Sequence, residues 1–358
     1  MHYYIISGES SGDFYGSKLI QSIKKSDKKA KFTCWGGINM KNQNVELVQN
    51  INNLAFVGFW EVFLNIKTII KNFFIAYKSI RETKPDLIIL IDYPGFNFRI
   101  ARFANKLNIP VFWFVAPQVW AWNEGRVKYL KKYVKKLFVI FPFELDYFLK
   151  NNIESYYFGH PLVSTFTLET KSKKKYTKPV IALLPGSRLQ EVERLLPEML
   201  FCSSKFSDFQ FVVIGVSNIS VLKYKELICD HDVDLLFDKE ILKITKFAIV
   251  CSGTASLELM LYNVPQVVCY KISWISFYIA KYFAKVSFIS IVNILASKKL
   301  VPELIQSDCN PTNICSKLRN VMKNENNIKS EYSRLIKKLG RNEPYDDIIK
   351  TIQNYLRG

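Results

Sequence analysis

The sequence predicts an α/β protein made of two doubly wound, Rossmann-like domains that face each other across a cleft. Three observations support this prediction. Short apolar runs alternate with helix-length segments, most of these runs are apolar throughout, and a lysine-rich stretch divides them into two series. Uninterrupted apolar runs are typical of parallel strands covered on both faces, and their alternation with helices favours βαβ units.

Eight apolar runs are predicted as strands, and four longer segments between them as helices. The predicted strands are 3–6, 87–91, 111–115 and 137–141 in the first series, then 180–184, 211–214, 247–250 and 266–270 in the second. The predicted helices are 17–25, 98–107, 192–206 and 255–262. Beyond Asn310 the pattern is helical and charged, and Pro344 predicts a break before a final helix at 345–356.

The stretch ETKSKKKYTK has the composition of a linker and predicts a domain boundary. We therefore expect a first domain over 1–168, a linker over 169–178, a second domain over 179–340 and a C-terminal segment over 341–358. This last segment packs either on the first domain or on a partner chain, so both a monomer and a homodimer stay open.

Composition limits the partners without choosing one. The chain has 358 residues and a formal charge of +19, with 49% hydrophobic and 23% charged residues, as in a globular protein. Such a charge suits nucleic acid, an anionic membrane surface or phosphorylated substrates, although an AT-rich genome would also enrich lysine. Seven cysteines without a C-x-x-C pair, and three scattered histidines, predict free thiols in a reducing cytosol and no metal site.

The most apolar stretch, 55–77, is interrupted by Glu61, Lys67 and Lys71, too many charges for a membrane span. From Val62 to Tyr77 its apolar residues share one helical face. That face either packs on the core or lies in a membrane interface.

Four loops at predicted strand ends carry polar or charged side chains, and ligands of open α/β sheets bind at such ends. In the first loop, ISGESSGDFYG, Ser10 and Asp13 have capping-type spacing, and Gly8 and Gly12 leave room for close approach to the backbone. In the second, Asp92 ends an apolar run before a Pro-Gly turn. A carboxylate placed there is a candidate general base, the alternative being an aspartate held by loop amides.

The other two loops indicate a nucleotide site in the second domain. In LLPGSR, Gly186 makes the turn, Ser187 and Gln190 fit a capping box, and Arg188 supplies a cation suited to a diphosphate. In the fourth loop, Ser252, Gly253 and Thr254 form a second phosphate-type turn, and Glu258 is placed to accept hydrogen bonds from a ribose diol or to form an ion pair. Walker A and G-x-G-x-x-G motifs are absent from the sequence.

Ten phrases in order resemble the lipid-A-disaccharide synthase family (glycosyltransferase family 19). They are SGESSGD (7–13), GGINM (36–40), VGFWEVF (57–63), IDYPGFN (91–97), PQVWAWNEGRV (117–127), FPFE (141–144), GHPL (159–162), LLPGSR (183–188), SGTASLE (252–258) and NILASKKLVPELIQ (293–306). The resemblance implies the GT-B fold and an inverting transfer from UDP-2,3-diacylglucosamine to 2,3-diacylglucosamine 1-phosphate. The implied products are a β-1,6-linked disaccharide 1-phosphate and UDP, and neither metal nor cofactor is implied.

The resemblance also implies roles for individual residues. Asp92 matches the family's catalytic aspartate, Glu9 a position that hydrogen-bonds sugar hydroxyls, and Asn293 a polar position near the donor phosphates. The implied donor site adds Arg188, Ser252, Gly253, Thr254 and Glu258, and the remaining cleft residues are Ser10, Ser11, Gly186, Ser187, Trp120 and Arg126. One departure matters, because Gly95 stands where the family usually has a second aspartate.

Lipid substrates imply a peripheral protein on the cytoplasmic face of the inner membrane, with the UDP-sugar donor and the acylated glucosamine phosphate acceptor as partners and no nucleic acid. Stretches 62–77 and 274–288, and the lysines of 128–136, are then candidates for acyl chains, anionic lipid or the acceptor phosphate. Two rivals share the fold, namely a UDP-N-acetylglucosamine 2-epimerase and a glycosyltransferase for another lipid. The remote alternative is a basic membrane- or nucleic-acid-binding protein without catalysis.

Overall fold

The computed structural model describes residues 1–51, 65–166, 176–274, 277–278, 282, 286–340 and 343–357. The chain divides into two compact units. Unit 1 comprises the described residues of Met1–Ser164, Tyr278–Lys285 and Leu339–Gly358, and unit 2 those of Thr165–Phe277 and Val286–Lys338. Most of the predicted linker, and the phrase VGFWEVF, lie outside the described residues.

Unit 1 contains a parallel sheet of seven strands in the order β3-β2-β1-β4-β5-β6-β7. The strands are β1 (His2–Ser7), β2 (Lys31–Gly36), β3 (Glu46–Asn50), β4 (Leu87–Ile91), β5 (Val111–Phe114), β6 (Lys136–Val139) and β7 (Ser155–Tyr157). The chain builds outward from β1 to β3 and then returns to place β4 on the other side of β1. The loops after β1 and β4 therefore diverge at a switch point, where ligands of open sheets bind.

Unit 2 repeats this arrangement with six parallel strands in the order β10-β9-β8-β11-β12-β13. The strands are β8 (Val180–Leu184), β9 (Gln210–Ile214), β10 (Val233–Leu236), β11 (Thr245–Cys251), β12 (Gln266–Tyr270) and β13 (Glu303–Ile305). Its switch point lies between β8 and β11, which pair directly. The two phosphate-type turns of the sequence follow these two strands.

Helices connect the strands in both units. In unit 1 they are α1 (Ser10–Ser26), α2 (Ile38–Lys41), α3 (Ile66–Thr83), α4 (Pro94–Lys106), α5 (Val119–Trp122), α6 (Val127–Tyr133), α7 (Pro142–Lys150) and, at the unit boundary, α8 (Pro161–Thr165). Those of unit 2 are α9 (Leu189–Leu200), α10 (Val221–Ile228), α11 (Thr254–Leu261), α12 (Ile291–Ala296), α13 (Pro311–Lys323) and α14 (Glu325–Leu339), and α15 (Pro344–Arg357) ends the chain. Across the described ranges, no helix is both long enough and apolar enough to cross a membrane.

The eight predicted strands are confirmed, with ends that shift by two residues or fewer. Five strands were not predicted from the sequence, because they either contain polar residues or are only three residues long: β2, β3, β7, β10 and β13. Four predicted helix limits were wrong by three residues or more, because α1 begins at Ser10, α4 at Pro94 and α9 at Leu189, and α9 ends at Leu200. The early start of α1 was missed because glycine and serine, which are weak helix formers, make up much of its first two turns.

The final helix α15 packs on the sheet of unit 1. The Tyr345 ring meets Phe114 edge-on at 6.0 Å between ring centroids, and the Tyr355 ring meets Phe112 in the same way at 5.0 Å. Both phenylalanines belong to β5, one of the strands whose carboxyl end borders the unit 1 site. Within this chain, the C-terminal segment therefore packs on the sheet of unit 1.

Candidate active site

The first candidate site lies at the switch point of unit 1. Ser7, the last residue of β1, pairs with Ile91, the last residue of β4. The loops that follow these strands, with Glu9 in one and Asp92 in the other, are therefore neighbours. Glu9 is close enough to Asp92 for its negative charge to raise the pKa of Asp92.

Asp92 is held in an uncommon backbone conformation. Asp92 and Tyr93 have φ values of 45° and 50°, in the left-handed region, where a side chain costs on the order of 1–3 kcal/mol. The amide of Asp92 donates to the Phe114 carbonyl at 3.2 Å, and the Asn97 side-chain amide donates to the Asp92 carbonyl at 2.7 Å. Consecutive strained residues persist only where their surroundings fix them, and such places are often functional.

The electrostatic setting of Asp92 suits a general base. The surrounding protein excludes most water and raises the pKa of this carboxyl to about 7, with smaller upward contributions from Glu9 and Glu144 and an opposing hydrogen bond from the Tyr93 amide. A base with a pKa near the working pH combines a deprotonated population with useful basicity. Among the residues that the structure describes, only the Tyr93 amide supports the alternative of an aspartate held by loop amides.

The opening loop differs from its prediction. A Cβ on Gly8 would lie 2.2 Å from the Tyr93 ring, so this glycine admits a protein side chain and leaves no free space beside the backbone. The capping prediction was also wrong. The helix starts after Glu9 without a side-chain cap, and the buried Asp13 carboxylate instead accepts hydrogen bonds from the amides of Gly37, Asn39 and Met40 at 2.7–3.0 Å.

Ser10 and Ser11 lie in the first turn of α1, Ser10 exposed and Ser11 half-buried. Asp13 anchors that turn to the loop after β2, since its contacts all lie around α2. Two contacts therefore fix the position of Glu9. The Asp13 carboxylate of α1 binds the amides around α2, and the Tyr93 ring packs against Gly8.

Trp120 and Glu144 lie in the helices that follow two further strands of unit 1, Trp120 in α5 after β5 and Glu144 in α7 after β6. The Trp120 indole donates to Glu144 Oε1 at 3.1 Å, and Glu144 Oε2 accepts from the amides of Ile140 and Phe141 at 3.3 and 3.2 Å. Glu144 is 1% exposed, and its burial raises its pKa to about 7 against the effect of these hydrogen bonds. Glu144 thus fixes the ring of Trp120, a role that the sequence analysis did not assign.

Arg126, also predicted for the cleft, immediately precedes α6 and is partly buried. Its guanidinium lies over the Phe98 ring, 5.5 Å from the centroid. Arg99 lies nearby and, after burial, is the second cause that lowers the pKa of Arg126. Gly95, the departure from the family pattern, is exposed, and its carbonyl accepts a hydrogen bond from Arg99 at 2.6 Å.

In unit 2 the loop after β8 is built around Glu191. Arg188 Nη1 donates to Glu191 Oε1 at 2.7 Å, while Glu191 Oε2 accepts from the Ser187 amide at 2.9 Å and, at 3.3 Å, from the amide of Arg188. The predicted capping box was therefore wrong by one residue, since the helix is capped at Arg188 with Glu191 and not at Ser187 with Gln190. Gly186 has a φ of 127°, and a Cβ there would lie 2.5 Å from Glu191 Oε2.

The loop after β11 presents the second turn. The Ser252 amide donates to the Cys269 carbonyl at 2.9 Å, and its hydroxyl donates to the Ile289 carbonyl at 3.3 Å. Gly253 and Thr254 are exposed, and the φ of 146° at Gly253 turns the chain into α11. The first amides of a helix have no partner within the helix, so this turn is suited to an anion.

Glu258 is engaged by a lysine. Lys239 Nζ lies 2.8 and 2.6 Å from the two carboxylate oxygens of Glu258, which is the ion-paired alternative considered for this residue. Lys239 is about half exposed and Glu258 largely buried. A ribose diol at Glu258 would therefore share or displace this lysine.

Asn293 does not present its side chain to a ligand. It is 0% exposed, its amide nitrogen donates to the Val301 carbonyl and to Glu303, and its oxygen accepts from the amides of Leu300 and Val301. All of its hydrogen-bonding groups are thus satisfied by protein at 2.8–2.9 Å. The Asn293 side chain therefore anchors 300–303, and its place near the donor phosphates stays a prediction.

The sequence contained signals for three of the residues it did not select. Glu144 and Glu191 each stand three residues into a helix, the position from which an acidic side chain reaches back to the capping residue. Asn97 follows the Pro-Gly turn at a distance that lets its amide return to Asp92. Over the described ranges, no group of three or more His, Cys, Asp or Glu side chains could hold a metal ion.

Solved structures similar to this chain share its overall fold. A UDP-GlcNAc 2-epimerase from Neisseria meningitidis, bound to UDP-GlcNAc, has a TM-score of 0.66 at 14% identity, with 99% of this chain and 100% of that one covered. The glycotransferase of kitacinnamycin gives 0.66 at 12% identity, covering 99% and 98%. At such identities the likeness shows the fold alone, and it confirms the predicted GT-B architecture.

Sequence relatives are more specific. The chain is 32% identical over 367 residues to a lipid-A-disaccharide synthase of Coxiella burnetii, covering 98% of both chains. A lipid-A-disaccharide synthase of Syntrophus aciditrophicus is 35% identical over 356 residues, covering 94% of this chain and 93% of the relative. The family model described as lipid-A-disaccharide synthetase matches residues 3–348. With that match and these identities over nearly the whole chain, the protein belongs to the lipid-A-disaccharide synthase family.

Proposed function

We propose that this protein transfers 2,3-diacylglucosamine from its UDP conjugate to O6 of 2,3-diacylglucosamine 1-phosphate, with inversion at the anomeric carbon. Family membership supports the reaction. The observation that carries the mechanism is Asp92, a carboxyl with a pKa of about 7 at the switch point of unit 1, held by a strained backbone. The products are the β-1,6-linked disaccharide 1-phosphate and UDP.

Asp92 acts as the general base. As O6 of the acceptor attacks the anomeric carbon, the Asp92 carboxylate takes the hydroxyl proton, the new O6–C1 bond forms, and the bond from C1 to the diphosphate oxygen breaks with its electron pair on UDP. Removing the proton in the transition state keeps positive charge from building on O6. Glu9, in the neighbouring loop, orients sugar hydroxyls.

Unit 2 holds the donor. Charge gathers on the diphosphate of departing UDP, and fixed cations and helix N-termini stabilise such charge without reorganising. Arg188 supplies a guanidinium already oriented by Glu191, and the turn of Ser252–Thr254 supplies the start of α11. Glu258 accepts the ribose hydroxyls once Lys239 shifts toward the diphosphate.

The direct test is turnover of the purified protein with the two acylated substrates, read by mass spectrometry. We expect disaccharide 1-phosphate and UDP in equal amounts. UDP binding without disaccharide would leave a nucleotide site and favour another acceptor or an epimerase, which interconversion of UDP-N-acetylglucosamine would reveal. If the protein showed no turnover and bound no UDP, the enzyme assignment would be overturned and the non-catalytic alternative would be favoured.

We also propose that unit 1 docks on the anionic cytoplasmic surface of the inner membrane. Helix α3 buries Ala76 and Ile80 but exposes Ile66, Ile70 and Phe74, spaced by four residues, with 49%, 48% and 69% of their surface accessible. Apolar residues on one exposed helical face are typical of interfacial helices.

Basic residues accompany this apolar face. Lys67 and Lys71 on α3 are exposed, as are Lys128, Lys131 and Lys132 on α6. Helix α4 packs against both α3 and α6, so all of these residues belong to one side of unit 1. Anionic lipid attracts lysines near its surface by about 1 kcal/mol each, and buried apolar side chains add to that attraction.

Phe74→Glu should lower the affinity of the protein for vesicles that contain phosphatidylglycerol by about tenfold, since it removes the largest exposed apolar side chain of α3 and adds a negative charge. Co-sedimentation over a range of lipid concentrations measures this effect. Leu222→Glu is the matched control, because Leu222 is 76% exposed on α10 of unit 2. Equal losses in both variants, or none in Phe74→Glu, would contradict docking through α3.

A further inference from the structure

The side chain of Asn97 is buried, and it donates hydrogen bonds to the backbone at Asp92, where β4 ends. It lies in the first turn of α4 and is 0% exposed. Its side-chain nitrogen donates to the carbonyl of Asp92 at 2.7 Å and approaches that of Ile91 at 3.4 Å. Because both partners are carbonyl oxygens, the amide group must be oriented with its nitrogen toward them.

The oxygen of the same side-chain amide forms no stabilising contact with any described residue that would explain an asparagine at this position. Asn97 Oδ1 is buried and has no hydrogen-bond partner within the described part of the chain. Leaving an acceptor buried and unsatisfied is costly, and an apolar residue of similar volume would avoid that cost. What an asparagine provides at this position is therefore the pair of N–H groups directed at the end of β4.

Those N–H groups meet the chain where its backbone is strained. Asp92 and Tyr93 are consecutive non-glycine residues in the left-handed region. The Asn97 backbone amide adds a hydrogen bond to the Tyr93 carbonyl at 3.0 Å, so this one residue bonds to both carbonyls of the strained pair. On its other side the pair is held by Phe114, which accepts from the Asp92 amide, and by Gly8, which admits the Tyr93 ring.

We propose that Asn97 is a positioning residue for the general base: its side-chain amide holds Asp92 and Tyr93 in the left-handed conformation that keeps the Asp92 carboxyl beside Glu9. This inference rests on the role assigned to Asp92 in the proposed function. It gives Asn97 an effect on the reaction that acts through Asp92, and it explains how the strain at the end of β4 is maintained.

The consequence is a change in the titration of Asp92. The charged groups that face it are Glu9, from the loop before α1, and Glu144, from α7, and both raise its pKa together with burial. Without the Asn97 amide, the peptide can relax toward an unstrained conformation and turn the carboxyl toward water. The pKa of Asp92 then falls from about 7 toward the ordinary range of an aspartate.

The experiment compares Asn97→Ala with Asn72→Ala, which removes another buried asparagine from a neighbouring helix of unit 1. Two readouts are needed, the pH dependence of kcat and a ¹³C NMR titration of the Asp92 carboxyl, assigned with Asp92→Asn. For Asn97→Ala we expect kcat to fall about 10²-fold, as for a misplaced catalytic group, and the acidic inflection to move to lower pH. Asn72→Ala should change neither.

A purely structural role would lower the melting temperature of Asn97→Ala but leave the inflection and the carboxyl titration unchanged, and this result would overturn the proposal. If Asn97→Ala does not fold, Asn97→Ser, which keeps a hydroxyl donor, should shift the titration in the same direction by less. An unshifted titration in folded Asn97→Ser would then overturn it. The NMR titration needs no substrate, so a wild type without turnover would reject the proposed reaction and still decide whether Asn97 positions Asp92.

Discussion

Asp92→Asn should lower kcat for disaccharide formation about 10³-fold while leaving UDP affinity within a factor of two of wild type. General-base catalysis contributes about 10²–10⁴-fold, and the amide cannot take the O6 proton. The side chains are nearly equal in size, and Asp92 belongs to unit 1 while both phosphate-type turns belong to unit 2, so donor binding should survive. Rates from single-turnover experiments, with UDP affinity from calorimetry, separate the two effects.

The pH dependence of the wild type provides the second half of this prediction. Asp92 is active when deprotonated, so kcat should rise with pH up to about 7 and level off above it, falling tenfold per unit well below that value. Glu9→Gln removes one of the charges that raise the pKa of Asp92 and should therefore move this inflection to lower pH. A flat wild-type profile between pH 5 and 8, or an Asp92→Asn variant with normal kcat, would contradict the assignment of Asp92 as base.

The strands that place these residues could be predicted, because parallel strands of a doubly wound sheet are buried on both faces. Runs such as 87–91 and 180–184 are apolar throughout, and each is followed at once by a loop with Asp92 or Arg188. The strand order, which brings the loops after β1 and β4 together, follows from the usual topology of such sheets. The strands and the polar loops at their ends could therefore be located before the fold was known.

The support around these residues could not be predicted in the same way. Gly8 indicated free space, yet the space holds the Tyr93 ring, because a sequence shows that a side chain is missing and not what replaces it. Asn293 shows the converse, since the family motif suggested a place near a ligand and did not show that protein groups satisfy its whole side-chain amide. Contacts between residues that are separated in sequence determine what lies beside Gly8 and Asn293, and the local spacing of residues does not reveal such contacts.

Glu191 is a further supporting contact, in the proposed donor site, because its carboxylate already binds the Arg188 guanidinium. Such a pair fixes the guanidinium before the diphosphate arrives, so that less conformational entropy is lost on binding. In the proposed donor site, Glu191 would also place a negative charge near the phosphates. Arg188 therefore has two effects that a variant can separate, namely attraction of the diphosphate and neutralisation of Glu191.

Arg188→Met should weaken UDP binding by about 10- to 100-fold, since a hydrogen bond to a charged group contributes about 1.5–3 kcal/mol. The loss should shrink in the double variant Arg188→Met with Glu191→Gln, because the single change leaves the Glu191 carboxylate unneutralised. Arg188→Lys should lie between the wild type and Arg188→Met, as lysine keeps the charge but lacks the planar fork. Isothermal titration with UDP measures all of these affinities.

Two comparisons make this prediction specific to the loop after β8. Arg194→Met removes an arginine from the same helix and should leave UDP affinity unchanged, so an equal loss there would indicate a general effect of net charge. Gly186→Ala places a Cβ 2.5 Å from Glu191 Oε2 at a φ of 127°, and it should displace Glu191 and weaken UDP binding although Arg188 is intact. If Arg188→Met bound UDP as tightly as wild type, the diphosphate would have to be held by the turn of Ser252–Thr254 alone. That result would also reject the proposed role of Glu191 in the donor site.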